Sequence, residues 1–355
     1  MLFTPLKVRD VVFRNRIVVS PMCQYSSEGG FLTDWHMVHL GTRAVGGAGA
    51  VIAEATAVEE RGRISPNDLG IWSDEHVVAL ERMTAFIDSQ GAVPGIQLSH
   101  AGRKASTARP WDGGVPLDER HGGWRPVMAP SSIAFDKSYP LPKELTLQDI
   151  DDLIEAFADA AERARQAGFR LLELHAAQGY LLHEFLSSVT NRRTDRYGGD
   201  FENRIRIVLE VTEAIRIRWP QRLPLFVRIS TVDWIENGGW SIEESEELAR
   251  QLKSRGVDLI VCSSGGLLPN LRIPTMRAGY QVSFAEYVRH HSGILTCAIG
   301  GITSAEQAET ILESGQADMV AIGRELLNDP YWPIHAAGAL REKIDLPVQY
   351  AREID

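Results

Sequence analysis

Short apolar runs recur along the chain with helical patterns between them, and this alternation predicts the architecture. Eight runs stand out: 16–20 (RIVVS), 50–54 (AVIAE), 93–98 (VPGIQL), 171–175 (LLELH), 225–229 (LFVRI), 258–262 (DLIVC), 295–299 (LTCAI) and 318–322 (DMVAI). Segments this short and this apolar fit parallel strands covered on both faces. The stretches between them carry helix-start signals. Residues 146–149 (TLQD) read as a capping box with Asp in place of the usual Glu, opening a periodic stretch that stops at Gly168. Residues 241–244 (SIEE) and 304–307 (SAEQ) open two more, which end near Gly256 and at Gly315. Repeated eight times, the alternation predicts a single α/β domain over residues 1–355, closed as a (β/α)8 barrel of the TIM type. An open doubly wound sheet is the structural alternative.

Three segments lie outside the repeat. Residues 3–13 suit a small N-terminal hairpin ahead of the first barrel strand. Residues 101–145 form a long Gly- and Pro-rich loop after the third strand, where it would overhang the active face. Residues 345–355 form a C-terminal tail.

Composition narrows the function classes. A net charge of −10 argues against nucleic-acid partners, which require a basic footprint, while leaving room for a local anion site. No stretch is apolar enough to predict a membrane span. Cys23, Cys262 and Cys297 are scattered, with neither a C-x-x-C pair nor metal-ligand spacing, so no disulfide framework and no metal site are expected. The charged opening residues 1–10 do not resemble a signal peptide, and a cytoplasmic location is expected.

In a barrel of this type the working residues follow the C-terminal ends of the strands. After the first run come Cys23 and Tyr25, two apart and able to share one side of an extended segment; simple packing explains them equally well. The third run holds Gln97, whose amide needs both a donor and an acceptor when buried. The fourth ends in His175, Gln178 and Tyr180, which bring two donors and a phenol near one point, suited to stabilising a carbonyl oxygen and delivering a proton. A polar loop capping a helix is the plain alternative. Arg228 on the fifth run needs an anion, a polar ligand or an internal carboxylate. Gly300 and Gly301 after the seventh run, with Gly323 and Arg324 after the eighth, form a candidate phosphate site. A phosphate at one end and a polar heterocycle at the other fit flavin mononucleotide, FMN.

The sequence resembles the Old Yellow Enzyme family of FMN-dependent ene-reductases, in its thermophilic-like subgroup. The resemblance runs through NRIVVSPMCQYS, GRIS with LGIWSDEH, GIQLSHAGRKAS, HAAQGYLLHEFLS, NRRTDRYGG with FENR, LFVRIS and IGRELLNDP, in order along nearly the whole chain. It implies a barrel that holds FMN tightly and is reduced by NADPH or NADH, acting on a small activated alkene such as an enone, nitroalkene or maleimide. Tyr180 matches the proton donor, and His175 with Gln178 the pair that binds the substrate oxygen. Cys23 matches a flavin-tuning thiol, and Tyr25 a substrate contact. Pro21, Met22, Ala55, Gln97 and Arg228 match positions around the ring, and Gly300, Gly301, Gly323 and Arg324 the phosphate site. Arg352 matches an arginine that enters the neighbouring subunit's site, which implies a homodimer or a dimer of dimers. The second oxygen-binding position is usually His or Asn; here it is Gln178. Rival readings are an FMN barrel with another reaction, such as demethylation or reduction of an aromatic CoA thioester; a flavin-free barrel lyase using Lys104 as a Schiff base; and a flavin-binding sensor.

Overall fold

The computed structural model describes residues 1–271, 273 and 277–351. The chain opens with an antiparallel hairpin, β1 (Leu6–Val8) and β2 (Val11–Phe13). There follow β3 (Ile17–Val19), α1 (Asp34–Val45), β4 (Ala50–Ala57), α2 (Glu75–Ser89) and β5 (Val93–Ser99). The long loop carries two paired fragments, β6 (Met128–Ala129) and β7 (Lys143–Glu144). Then come α3 (Leu147–Gln166), β8 (Leu171–Ala176), α4 (Leu181–Leu186), α5 (Phe201–Arg218), β9 (Leu225–Ser230) and α6 (Ile242–Ser254). The chain continues through β10 (Leu259–Ser263), α7 (Val282–Ser292), β11 (Leu295–Ile299), α8 (Ala305–Glu313), β12 (Met319–Ile322), α9 (Arg324–Asn328) and α10 (Trp332–Leu340).

Strands β3, β4, β5, β8, β9, β10, β11 and β12 are neighbours in that order and close on themselves as a parallel barrel. Each overlaps one of the eight apolar runs. Full burial of β4, β5, β8, β9, β10 and β12 explains why they read as apolar throughout rather than alternating. The open-sheet alternative is thereby set aside.

Local signals set the helices. Thr146 and Asp149 form the capping box that starts α3, whose Ile150, Leu153, Phe157, Ala160, Ala161 and Ala164 make one buried stripe. Ser241 and Glu244 cap α6 reciprocally. Ser304 accepts from the Gln307 N–H at the start of α8. At the opposite end of the barrel from the strand C-termini, the hairpin inserts Phe13 against Phe226, with ring centroids 6.1 Å apart and both rings buried.

One strand differs from its sequence reading. Strand β4 runs on to Ala57, past the apolar run, because the pairing with β5 slips between Ala53 and Ala55. Such a bulge re-aims side chains at a barrel rim. It sets Ala55 opposite Gln97.

Candidate active site

The candidate residues gather at the C-terminal end of the barrel. The segment after β3 carries Pro21, Met22, Cys23 and Tyr25. Its backbone is gripped from below: the Gln24 N–H donates to the buried Glu54 carboxylate, which also meets His36 Nε2 at 3.2 Å. Tyr25 takes a left-handed conformation (φ 50°), and its side chain interacts with that of Cys23. Burial, reinforced by Asp68 and Glu54, pushes the Cys23 thiol well up, so it stays a thiol. Asp68 itself is pushed up to about 7 by burial, although Ser65 Oγ and the Ile64 N–H both donate to it at 2.7 Å.

On the facing side, β8 ends at His175 and the chain turns through Gln178 (φ 58°) and Gly179 (φ 74°) into Tyr180. A side chain at 179 would place its Cβ 2.2 Å from the Gly266 carbonyl oxygen, so glycine is required there. The turn is fastened by the Gln178 N–H to Ser230 Oγ and the Gly179 N–H to His183 Nδ1, both 2.8 Å. Lys104 Nζ donates to the Gln178 and Gly266 carbonyls at 2.8 and 2.7 Å. The Tyr180 ring stands edge-on to His175, centroids 5.0 Å apart at 73°. Burial drives the two titrations apart. The Tyr180 hydroxyl is pushed well up and keeps its proton. His175 is pushed well down by burial, with Arg228, His183 and Lys104 adding to the effect, and is neutral.

Arg228 pairs with His175 in register across β8 and β9. Its guanidinium reaches Ser20 Oγ at 3.4 Å and forms no ion pair with a carboxylate among the described residues. Arg228 Nε and His175 Nδ1 are buried without a hydrogen-bond partner. Two orphaned polar atoms on neighbouring strands, one of them on a cavity-lining residue, call for a polar partner that the protein does not supply. A cavity of about 640 Å³ runs from Ser20 and Met22 past Arg228 and Gln178 to Gly300, Gly301, Gly323 and Arg324. Gly300 adopts φ 99°, and a Cβ there would sit 2.3 Å from Gln281 Nε2. The cavity therefore combines a backbone-lined, arginine-flanked end with a polar mouth. Such a cavity suits FMN: Gly300, Gly301, Gly323 and Arg324 would hold its phosphate, and Pro21, Met22 and Arg228 would flank its ring.

Residues 1–343 match the profile of the NADH:flavin oxidoreductase / NADH oxidase family. The chain belongs to this family. It is an FMN-dependent oxidoreductase served by a nicotinamide reductant, built on a TIM barrel. It is 46% identical to an NADPH dehydrogenase of Geobacillus thermodenitrificans (strain NG80-2), over 99% of this chain and 98% of that protein. Its fold matches morphinone reductase with a TM-score of 0.79 at 26% identity, covering 98% of this chain and 91% of that one. It also matches 2-naphthoyl-CoA reductase with a TM-score of 0.86 at 25% identity, covering 95% of this chain but 52% of that one.

Several neighbours of the site escaped the sequence reading. Glu54 and Glu173 sit inside apolar runs and Asp68 in the polar loop between β4 and α2, where nothing local marks a buried acid as meaningful. Trp111, on the long loop, lies edge-on to Tyr25 with centroids 5.8 Å apart, a contact only the fold creates. Lys104, the Schiff-base candidate of the lyase reading, is committed as a donor to two backbone carbonyls. No helix among the described residues is long and apolar enough to cross a membrane, and no metal-binding cluster occurs among them. Arg352 lies outside the described residues.

Proposed function

We propose that this protein is an NAD(P)H-dependent ene-reductase acting on activated alkenes such as enones, nitroalkenes and maleimides. The observation that carries the reading is the edge-on pair of neutral His175 and protonated Tyr180, with His175 in register beside Arg228, which lines a cavity whose far end suits a phosphate. When bound, FMN would supply the redox chemistry, the hydride exchange between NADPH or NADH and the β-carbon of the alkene. His175 donates an N–H to the substrate's carbonyl or nitro oxygen, and Gln178 adds its amide. Both stabilise the negative charge that grows on that oxygen. Tyr180 keeps its proton until the α-carbon takes it. Cys23 lies along the ring as an uncharged thiol, and Tyr25 borders the substrate. The 46% identical NADPH dehydrogenase favours NADPH as the working reductant. Arg352 of a second copy completes the site, in a homodimer or a dimer of dimers.

The test is spectroscopic. Purified protein is expected to be yellow, to bleach under anaerobic NADPH, and to recover its colour when 2-cyclohexenone is added. A protein that bleaches with NADPH yet never recovers with cyclohexenone, nitrostyrene or N-ethylmaleimide is not an ene-reductase. A colourless protein that binds no FMN is not one either.

A further inference from the structure

Gln97 and Glu173 face each other across β5 and β8 in register, and Gln97 Nε2 donates to Glu173 Oε1 at 2.6 Å. Both side chains are buried. Glu173 lies two residues before His175, so the two share the inward face of β8. On the next strand His175 pairs with Arg228, which places the Arg228 guanidinium one diagonal step from the Glu173 carboxylate. Burial raises the Glu173 carboxyl, while Arg228 and the Gln97 N–H favour its charged form; as a carboxylate it only accepts hydrogen bonds, whereas an amide has one donating and one accepting end. With its NH2 end turned to the carboxylate, Gln97 keeps Oε1 free, without a hydrogen-bond partner among the described residues.

We propose that Glu173 is a positioning residue that fixes the Gln97 amide with its carbonyl toward the cofactor, and whose negative charge offsets Arg228 beneath the ring. The site then selects a ligand edge that offers an N–H flanked by acceptors: Gln97 Oε1 takes the N–H and Arg228 faces an acceptor. The imide edge of the isoalloxazine ring has that order. The inference rests on the reading of this cavity as the FMN site. It adds that the match is imposed from behind, by a residue that does not reach the ligand.

The discriminating probe is N3-methyl-FMN, which lacks the imide N–H, titrated alongside FMN into deflavinated protein by fluorescence quenching. Wild type is expected to prefer FMN by about tenfold or more, the worth of one well-made buried hydrogen bond. In Glu173→Gln the partner amide can donate or accept, Gln97 is free to rotate, and the preference is expected to fall below about threefold. The midpoint potential of reconstituted Glu173→Gln is expected to rise, because an uncompensated Arg228 favours the anionic reduced ring. A purely structural Glu173 would leave both the preference and the potential where they are, and either result overturns the proposal. Should Glu173→Gln not fold, Glu173→Asp, which keeps the charge but draws it back from the Gln97 amide, reads the same device: a weakened preference supports the proposal, and an undiminished one overturns it. Deflavinated protein that binds neither flavin overturns the FMN reading itself. Binding of FMN with undiminished discrimination in Glu173→Gln overturns this inference alone.

Discussion

At the level of single residues, the site depends on protonation states set by burial. Tyr180→Phe is expected to cut the rate of enone reduction by about 10²–10⁴-fold while FMN binding is unchanged, the usual worth of a positioned proton donor. Stopped-flow reoxidation of reduced enzyme by 2-cyclohexenone measures this. Gln178 is longer than Asn and cannot carry charge as His can, so Gln178→His is expected to change turnover or KM for cyclohexenone. Identical steady-state parameters would sink the idea that this position tunes substrate range. Asp68 supplies a pH signature. Its carboxyl, pushed up to about 7 from an ordinary value near 4, favours the protonated form when folded. The resulting stability is full below pH ~4 and is lost as pH rises through ~7, at up to about 1.4 kcal/mol per pH unit. Asp68→Asn removes that dependence. Urea midpoints at pH 5 and pH 8 should therefore show the variant gaining on wild type at the higher pH. The residues whose chemistry is local, such as His175, Tyr180 and the glycines, were legible from their place after apolar runs. Glu54 and Glu173 were not, because their partners His36 and Gln97 lie far off in sequence, and Asp68 was not, because only the fold buries it.

Among the elements, agreement between sequence and structure is closest where one residue type has one physical job. The capping boxes of α3 and α6 form as the sequence predicts, with Thr146 and Asp149, and Ser241 and Glu244, bonding reciprocally. Thr146→Ala is expected to cost about 1 kcal/mol by chemical denaturation, without altering flavin spectra, since the cap lies away from the cavity. The β4 bulge was not legible: a slipped register leaves no mark in a run of small and branched residues, yet it delivers Ala55 to the rim. Nor was the fastening of the 178–180 turn, which draws on Lys104 from the long loop and Gly266 beyond β10. The long loop was anticipated from its Gly- and Pro-rich composition, and the edge-on contact of its Trp111 with Tyr25 was not.

Across the whole molecule, cofactor and fold are thermodynamically linked. Arg228 Nε and His175 Nδ1 are buried with no partner from the protein, a penalty that contact with a bound ligand would relieve. Unfolding temperature is therefore expected to climb with added FMN, by about 2.7 kcal/mol of stabilisation at one hundred times Kd. Scanning calorimetry across an FMN series measures it, and a temperature independent of FMN would contradict the assignment of the cavity. The barrel was legible because eight repeats of one pattern reinforce each other, while the expected role of Arg352 falls outside the described residues.

The hairpin at the foot of the barrel has a kinetic corollary. With Phe13 wedged against Phe226, nothing can pass through the molecule from below. Reductant and oxidant must share one doorway and take turns in it, so double-reciprocal plots should be parallel lines, with each co-reactant inhibiting competitively against the other at high concentration.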